Sequence, residues 1–176
     1  TRSILLAIRS AIGDRIPIEF YAHHSMGLAH DSCRAAIAAG VANVTTASRP
    51  LANGESVPAT IDIAAIADKL GVAHDLDIDA QLKLDDYFHW VAYQEGRPVQ
   101  GEAAFDRSVY DRFAGHQIPG GMISNFRNQL AELGLMHRID EVLDEASRVR
   151  EELGYPVMVT PFSQFVGVQA TMNVIQ

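Results

Sequence analysis

Two short apolar runs flank one helix near the start of this chain, and no strong strand signal follows them. That arrangement limits the possible folds more than any other feature. Ile16 to Tyr21, beginning beside Pro17, reads as a buried strand. Gly27 to Ala39 is an alanine-rich helix closed by Gly40, and Val41 to Thr46 is a second short strand rich in β-branched residues. Ahead of them, Ser3 to Ile12 sets Ile4, Leu5, Ile8 and Ile12 on one side of a helix, with Gly13 as its stop. Strands joined through a helix of this length pair in parallel with a right-handed crossover. Two strands cannot close a sheet core, because edges and apolar faces stay open. Further strands are therefore expected from an upstream segment or another subunit. The opening at Thr1, within a helical pattern and without a methionine, fits a fragment or a processed chain.

Beyond the second strand the pattern turns helical. Ser48 to Val57 is a loop holding Arg49, Pro50, Asn53 and Gly54, and Thr60 is expected to cap a helix that runs to Leu70 and stops at Gly71. Asp79 to Tyr93 is helical, and Gly96 to Gly101 is a Pro/Gly connector. A short helix covers Asp106 to Phe113, and a Pro/Gly turn follows over His116 to Met122. Two helices, Ser124 to Leu133 and His137 to Leu153, are parted by Gly134. Val157 to Thr160 is extended, and Pro161 with Ser163 opens a terminal helix. The chain thus reads as two units of an α/β array followed by a helical layer, without repeats or low-complexity tracts.

Composition narrows the function. The net charge of −8, with no basic run, argues against a nucleic-acid partner. No apolar stretch approaches the roughly 20 residues that span a bilayer. No signal peptide is visible, and a single cysteine, Cys33, fits a reducing, cytoplasmic setting. Cys33 lies inside a helical pattern and is expected to be a small buried apolar group rather than a nucleophile.

Four clusters carry candidate chemistry. The first, Tyr21–Gly27, ends the first strand; Tyr21 and His23 share one side and Ala22 and His24 the other. A pair of histidines at this spacing can ligate one metal, but here the pair is tyrosine and histidine, and a hydrogen-bonded histidine at a strand end is an equal reading. The second is the Ala47–Pro58 loop, which by itself reads as a surface loop of turn formers. In the third, His116–Phe126, Gly120 and Gly121 permit positive φ and close approach of a ligand. There the Ser124 hydroxyl either caps a helix, the better reading from composition, or exchanges a proton with a substrate. The fourth, Val159–Gln169, reads as a capped helix whose Gly167 allows close packing.

Taken in order, these clusters resemble the carboxyltransferase region of biotin-dependent 2-oxoacid carboxylases and decarboxylases: pyruvate carboxylase, the oxaloacetate decarboxylase alpha subunit and the transcarboxylase carboxyltransferase subunit. Ile16–Val57 is similar to the family's His-x-His segment and its Pro-Leu-Ala-Asn-Gly loop. Gln117–Leu130 is similar to its Ile-Pro-Gly-Gly-Met element, and Leu153–Val174 to its Leu-Gly-Tyr-Pro and Thr-Pro-x-Ser-Gln ending. The poorest stretch lies between Leu70 and Ala114.

The resemblance implies an α/β fold: the C-terminal part of a (β/α)8 TIM barrel over residues 1–71, then an α-helical funnel domain over residues 72–176, with the active site at the mouth between them. It implies carboxyl transfer between biotin and a pyruvate- or oxaloacetate-type 2-oxoacid through an enolate held by a divalent metal (Mn, Zn or Co). Ser124 takes the position of the family's proton-shuttling threonine, Gly120, Gly121 and Asn125 line the substrate and biotin pocket, and His23 takes the second metal-histidine position. Expected partners are a biotin carboxyl carrier domain or subunit, the 2-oxoacid, the missing half of the barrel, and further copies of the chain as a homo-oligomer.

The departures matter equally. Tyr21 stands where the first metal histidine belongs, and a phenol, which holds its proton near neutral pH, is a poor ligand for Mn2+ or Zn2+. The metal-binding Asp and carboxylated Lys would lie upstream, since neither Lys69 nor Lys83 follows a strand. No Met-Lys dipeptide occurs, so the biotin attachment site is expected on another domain or chain. Two alternatives follow: a catalytically altered or metal-free relative with a structural role, and an aldolase or lyase of the same metal-dependent barrel superfamily.

Overall fold

The computed structural model describes residues 1–97, 99 and 104–175. Those residues form two compact units, Thr1–Phe105 and Asp106–Gln176. Of the expected Gly96–Gly101 connector, Pro98, Gln100 and Gly101 lie outside the described residues.

In the first unit, α1 (Arg2–Ile12) ends at Gly13, whose φ of 74° needs no Cβ. Strand β1 (Glu19–Phe20), helix α2 (Ala29–Ile37) and strand β2 (Asn43–Val44) follow. The strands pair in parallel, Glu19 opposite Asn43 and Phe20 opposite Val44, as the intervening helix requires. The sequence suggests longer strands, but the ladder covers two residues on each. Single backbone bonds, Ala42 N–H to the Ile18 carbonyl and Thr45 N–H to the Phe20 carbonyl, extend it at either end. An isolated parallel bridge joins Ala47 to Ala59.

A 3-10 turn (Arg49–Leu51) leads to α3 (Thr60–Lys69), and α4 (Ile78–Gln94) closes the unit. Thr60 does not cap α3: the N-cap is Ala59, and the Thr60 hydroxyl donates to Thr46 Oγ1 at 2.9 Å or to the Ala47 carbonyl at 3.1 Å. The hydroxyl ties the helix back to the end of β2 instead. Asp77 does cap α4, accepting from the Ala80 N–H at 2.9 Å. The apolar cluster here is small: Cys33, Ile63 and Ile66 are buried, with Phe20, Ile37 and Val44 packed against them.

The second unit is helical. It holds α5 (Arg107–His116), capped by Asp106; α6 (Gly120–Glu132); α7 (Ile139–Glu152), entered through a 3-10 turn at Met136–Arg138; and α8 (Phe162–Ile175). Val157–Thr160, expected to be extended, forms no strand; the Val159 N–H bonds back to the Val157 carbonyl. Buried Phe126, Leu130, Val142, Ala146, Val166 and Ala170 belong to one continuous core. Gly167 is the close approach expected of it: a Cβ there would overlap the Phe126 ring.

Candidate functional site

The first two sequence clusters meet. Both follow the C-terminal ends of parallel strands, and the 53–58 loop folds back beneath the 21–27 turn. Asn53 adopts φ 67° and accepts from the Ser56 N–H, while its own N–H donates to the Val57 carbonyl. That tight turn presents two carbonyls to the neighbouring histidines. The His24 N–H donates to the Ser56 carbonyl at 2.8 Å, and His23 Nδ1 lies 2.5 Å from the Glu55 carbonyl.

Alternation along the chain sorts the side chains as expected: Tyr21 and His23 are exposed, while His24 is buried. The Tyr21 hydroxyl lies 2.7 Å from His23 Nε2, with the rings edge to face. Beneath them, the His24 and His30 rings stand 4.5 Å apart. Asp62 accepts from the Arg49 guanidinium at 3.0 Å and lies 4.0 Å from His30 Nε2.

The donors tell against a divalent cation held by this chain alone. His23 offers one coordinating nitrogen, and the Tyr21 hydroxyl engages it. Among the described residues no group of three or more His, Cys, Asp and Glu is placed to hold a metal ion. These residues do not fit a metal centre by themselves.

A network that sequence patterning missed anchors the Arg49 turn. Asp85 Oδ1 accepts from the Arg49 backbone N–H at 3.0 Å and from Gln81 Nε2 at 2.8 Å, and Gln81 also reaches Ser48 Oγ. The i, i+4 spacing of Gln81 and Asp85 is the signal that could have found it. A cleft of about 360 Å3 beside it is lined by Arg49, Pro50, Leu82, Asp85, Asp86, His89 and Val99.

The third and fourth clusters meet in the second unit, with corrections to the expected turn. Helix α6 begins at Gly120, so Gly120 and Gly121 are helical and neither takes positive φ; Gln117 does, at 49°. Pro119 is the N-cap, which removes the capping role for Ser124. Ser124 instead lies one turn inside the helix, half-buried, its hydroxyl 3.4 Å from the Gly120 carbonyl. Asn125 is exposed, and a Cβ at Gly121 would meet nothing within 4 Å. The first turn of α6 thus offers open space beside a weakly engaged hydroxyl.

Arg150, also missed, holds the segment before that turn. Its guanidinium donates to the Gly115 carbonyl at 2.9 Å and to Gln117 Oε1 at 3.0 Å, and stacks over the Tyr155 ring. His116 Nδ1 accepts from the Ile118 N–H at 2.9 Å. Burial, reinforced by the Arg112 and Arg150 charges against the opposing pull of Asp144, lowers the His116 pKa to about 4. His116 is therefore neutral at pH 7, as an acceptor to Ile118 must be. Cys33 is fully buried, and burial pushes its thiol up to about 11, which fits the apolar role and not a nucleophile.

Comparison with known proteins reaches the same region of protein space. Residues 114–176 match the family described as the conserved carboxylase domain. The 2-oxoglutarate carboxylase large subunit of Hydrogenobacter thermophilus is 37% identical over 175 residues, covering 99% of this chain and 26% of that protein. Along its whole length this chain resembles members of that carboxylase family. The methylmalonyl-CoA carboxyltransferase 5S subunit of Propionibacterium freudenreichii is 34% identical over 172 residues, 98% of this chain and 33% of that protein. Among solved structures, the carboxyl transferase domain of Rhizobium etli pyruvate carboxylase with oxamate and biotin superposes with a TM-score of 0.86 at 28% identity, covering 99% of this chain and 28% of that one. The chain spans about a third or less of each of these relatives. Its mostly helical α/β structure resembles that domain, and no described helix is long and apolar enough to cross a membrane.

Proposed function

We propose that this chain forms the C-terminal part of a carboxyltransferase that moves a carboxyl group between biotin and a 2-oxoacid of the pyruvate or oxaloacetate type, in a cytoplasmic enzyme. Residues 1–71 then supply the last strands and helices of a TIM barrel and residues 72–176 its helical funnel domain. The remaining strands and the biotin carrier come from other residues or chains. The observation that carries the reading is the Ser124 hydroxyl, part-exposed on the first turns of α6 and, among the described residues, held by a long 3.4 Å bond to Gly120. A hydroxyl so placed can rotate to serve a reacting group.

In the carboxylating direction the 2-oxoacid methyl loses a proton to become an enolate, carboxybiotin loses CO2, and the enolate carbon bonds to that CO2. The proton passes through Ser124 Oγ to the biotin ureido nitrogen, so the hydroxyl ends as it began. Decarboxylation of oxaloacetate runs the same steps in reverse. Gly120, Gly121 and Asn125 frame the approach to that hydroxyl. A cation stabilising the enolate would need its ligands from other residues, because His23 Nε2 is engaged by the Tyr21 hydroxyl.

In the full protein, Ser124→Ala should lower biotin-dependent carboxyl transfer by roughly 100-fold or more, with the thermal midpoint unchanged and Ser124→Thr active. Wild-type turnover in Ser124→Ala would remove the residue from the mechanism.

A further inference from the structure

A metal-ligating histidine uses one ring nitrogen for the ion and donates the other N–H to a carbonyl or carboxylate. His23 has the second half of that arrangement. The Glu55 carbonyl, 2.5 Å from Nδ1, can only accept, so Nδ1 carries a proton and, in the neutral ring, Nε2 keeps the lone pair. That lone pair is engaged: the Tyr21 hydroxyl sits 2.7 Å away and must be its donor. The two residues stand side by side past β1, and their rings meet edge to face at 5.1 Å, so opening the pair breaks a hydrogen bond and a ring contact together. A phenol is a poorer ligand for such cations than an imidazole and offers little coordination in exchange.

We propose that Tyr21 caps the coordinating nitrogen of His23, so that a turn still oriented by Glu55 for metal binding excludes divalent cations. The proposal rests on the carboxyltransferase reading only in the choice of cation, and its test reads metal rather than turnover. The full protein, stripped with chelator, is titrated with CoCl2 and followed by visible absorption and by metal analysis after dialysis. Tyr21→His should bind Co2+ roughly ten-fold tighter than wild type or better. Tyr21→Phe should show a smaller gain, and adding His23→Ala should abolish both. Wild-type protein that retains one equivalent of cobalt released by His23→Ala would overturn the proposal, a phenolate-to-metal absorption band included. So would the absence of any gain in both Tyr21 variants. Carboxyl transfer by Ser124→Ala is read separately, so either idea can fail without the other.

Discussion

The two units of this chain bury apolar surface in different ways. Residues 106–176 bury branched and aromatic side chains from three helices in one core, with Leu130, Val142 and Val166 fully enclosed. In residues 1–105 the cluster is Cys33, Ile63 and Ile66, and most other buried apolar positions are alanines, such as Ala29, Ala36, Ala59, Ala64, Ala67 and Ala92. The apolar side of α1 leaves Ile4, Ile8 and Ile12 exposed. Burying an alanine removes little apolar area, and area is what drives folding. A helical bundle closes on itself, whereas a parallel βαβ slice needs more sheet beside it.

The sharpest way to break this contrast is to separate the units. Residues 106–176 expressed alone should unfold cooperatively by circular dichroism, and residues 1–105 alone should aggregate or show no transition. A cooperative, monomeric 1–105 fragment would mean that its thin core suffices.

Within the second unit, Gly167→Ala should give the largest point-mutant loss. The added methyl collides with Phe126, a cost of about 3 kcal/mol, against which alanine's better helix propensity returns about 1. A net loss of about 2 kcal/mol is expected in denaturant unfolding. Phe126→Leu combined with Gly167→Ala should recover part of it, since the two side chains share one space.

How much of this was legible in the sequence follows from how local each cause is. Helix stops at Gly13, Gly40 and Gly71 are written in neighbouring residues, and parallel pairing follows from the length of the intervening helix, whereas the cap expected at Thr60 proved to be Ala59. The start of α6 was misplaced because Pro119 and the two glycines read as a turn, whereas proline is also a good entry to a helix. The Tyr21–His23 contact was legible from strand alternation. The Glu55 carbonyl that orients His23 was not, because a backbone acceptor 32 residues away leaves no mark in composition. Arg150 was missed for the same reason: its partners Gly115 and Gln117 lie more than 30 positions back.

Acid should weaken the second unit next most. His116 has its pKa lowered from 6.5 to about 4 by burial, so the unfolded chain takes up the proton first as pH falls. The stability this contributes is fully present above about pH 6.5 and is lost as pH drops towards 4. Between pH 7 and pH 5.5 the loss should be about 1 kcal/mol. His116→Asn, which can still accept from Ile118 but does not titrate, should flatten that part of the pH profile. An unchanged slope would mean that His116 is charged in the folded protein.

The smallest effect is expected where the tight core holds a polar atom it does not use. Ser163 is fully buried in the first turn of α8, and its hydroxyl has no hydrogen-bond partner among the described residues. Its backbone N–H is already satisfied by the Val159 carbonyl at 3.2 Å, so the side chain is not needed for the helix start. An unpaired buried hydroxyl costs desolvation with nothing in return, and alanine removes that cost while leaving only a small space. These terms nearly cancel, so Ser163→Ala should shift unfolding by less than about 1 kcal/mol, on the stabilising side. A loss larger than that in denaturant unfolding would show that the hydroxyl has a partner in the assembled enzyme. Ser163 would then share the role proposed for Ser124, that of a group the helical unit keeps for its partners rather than for itself.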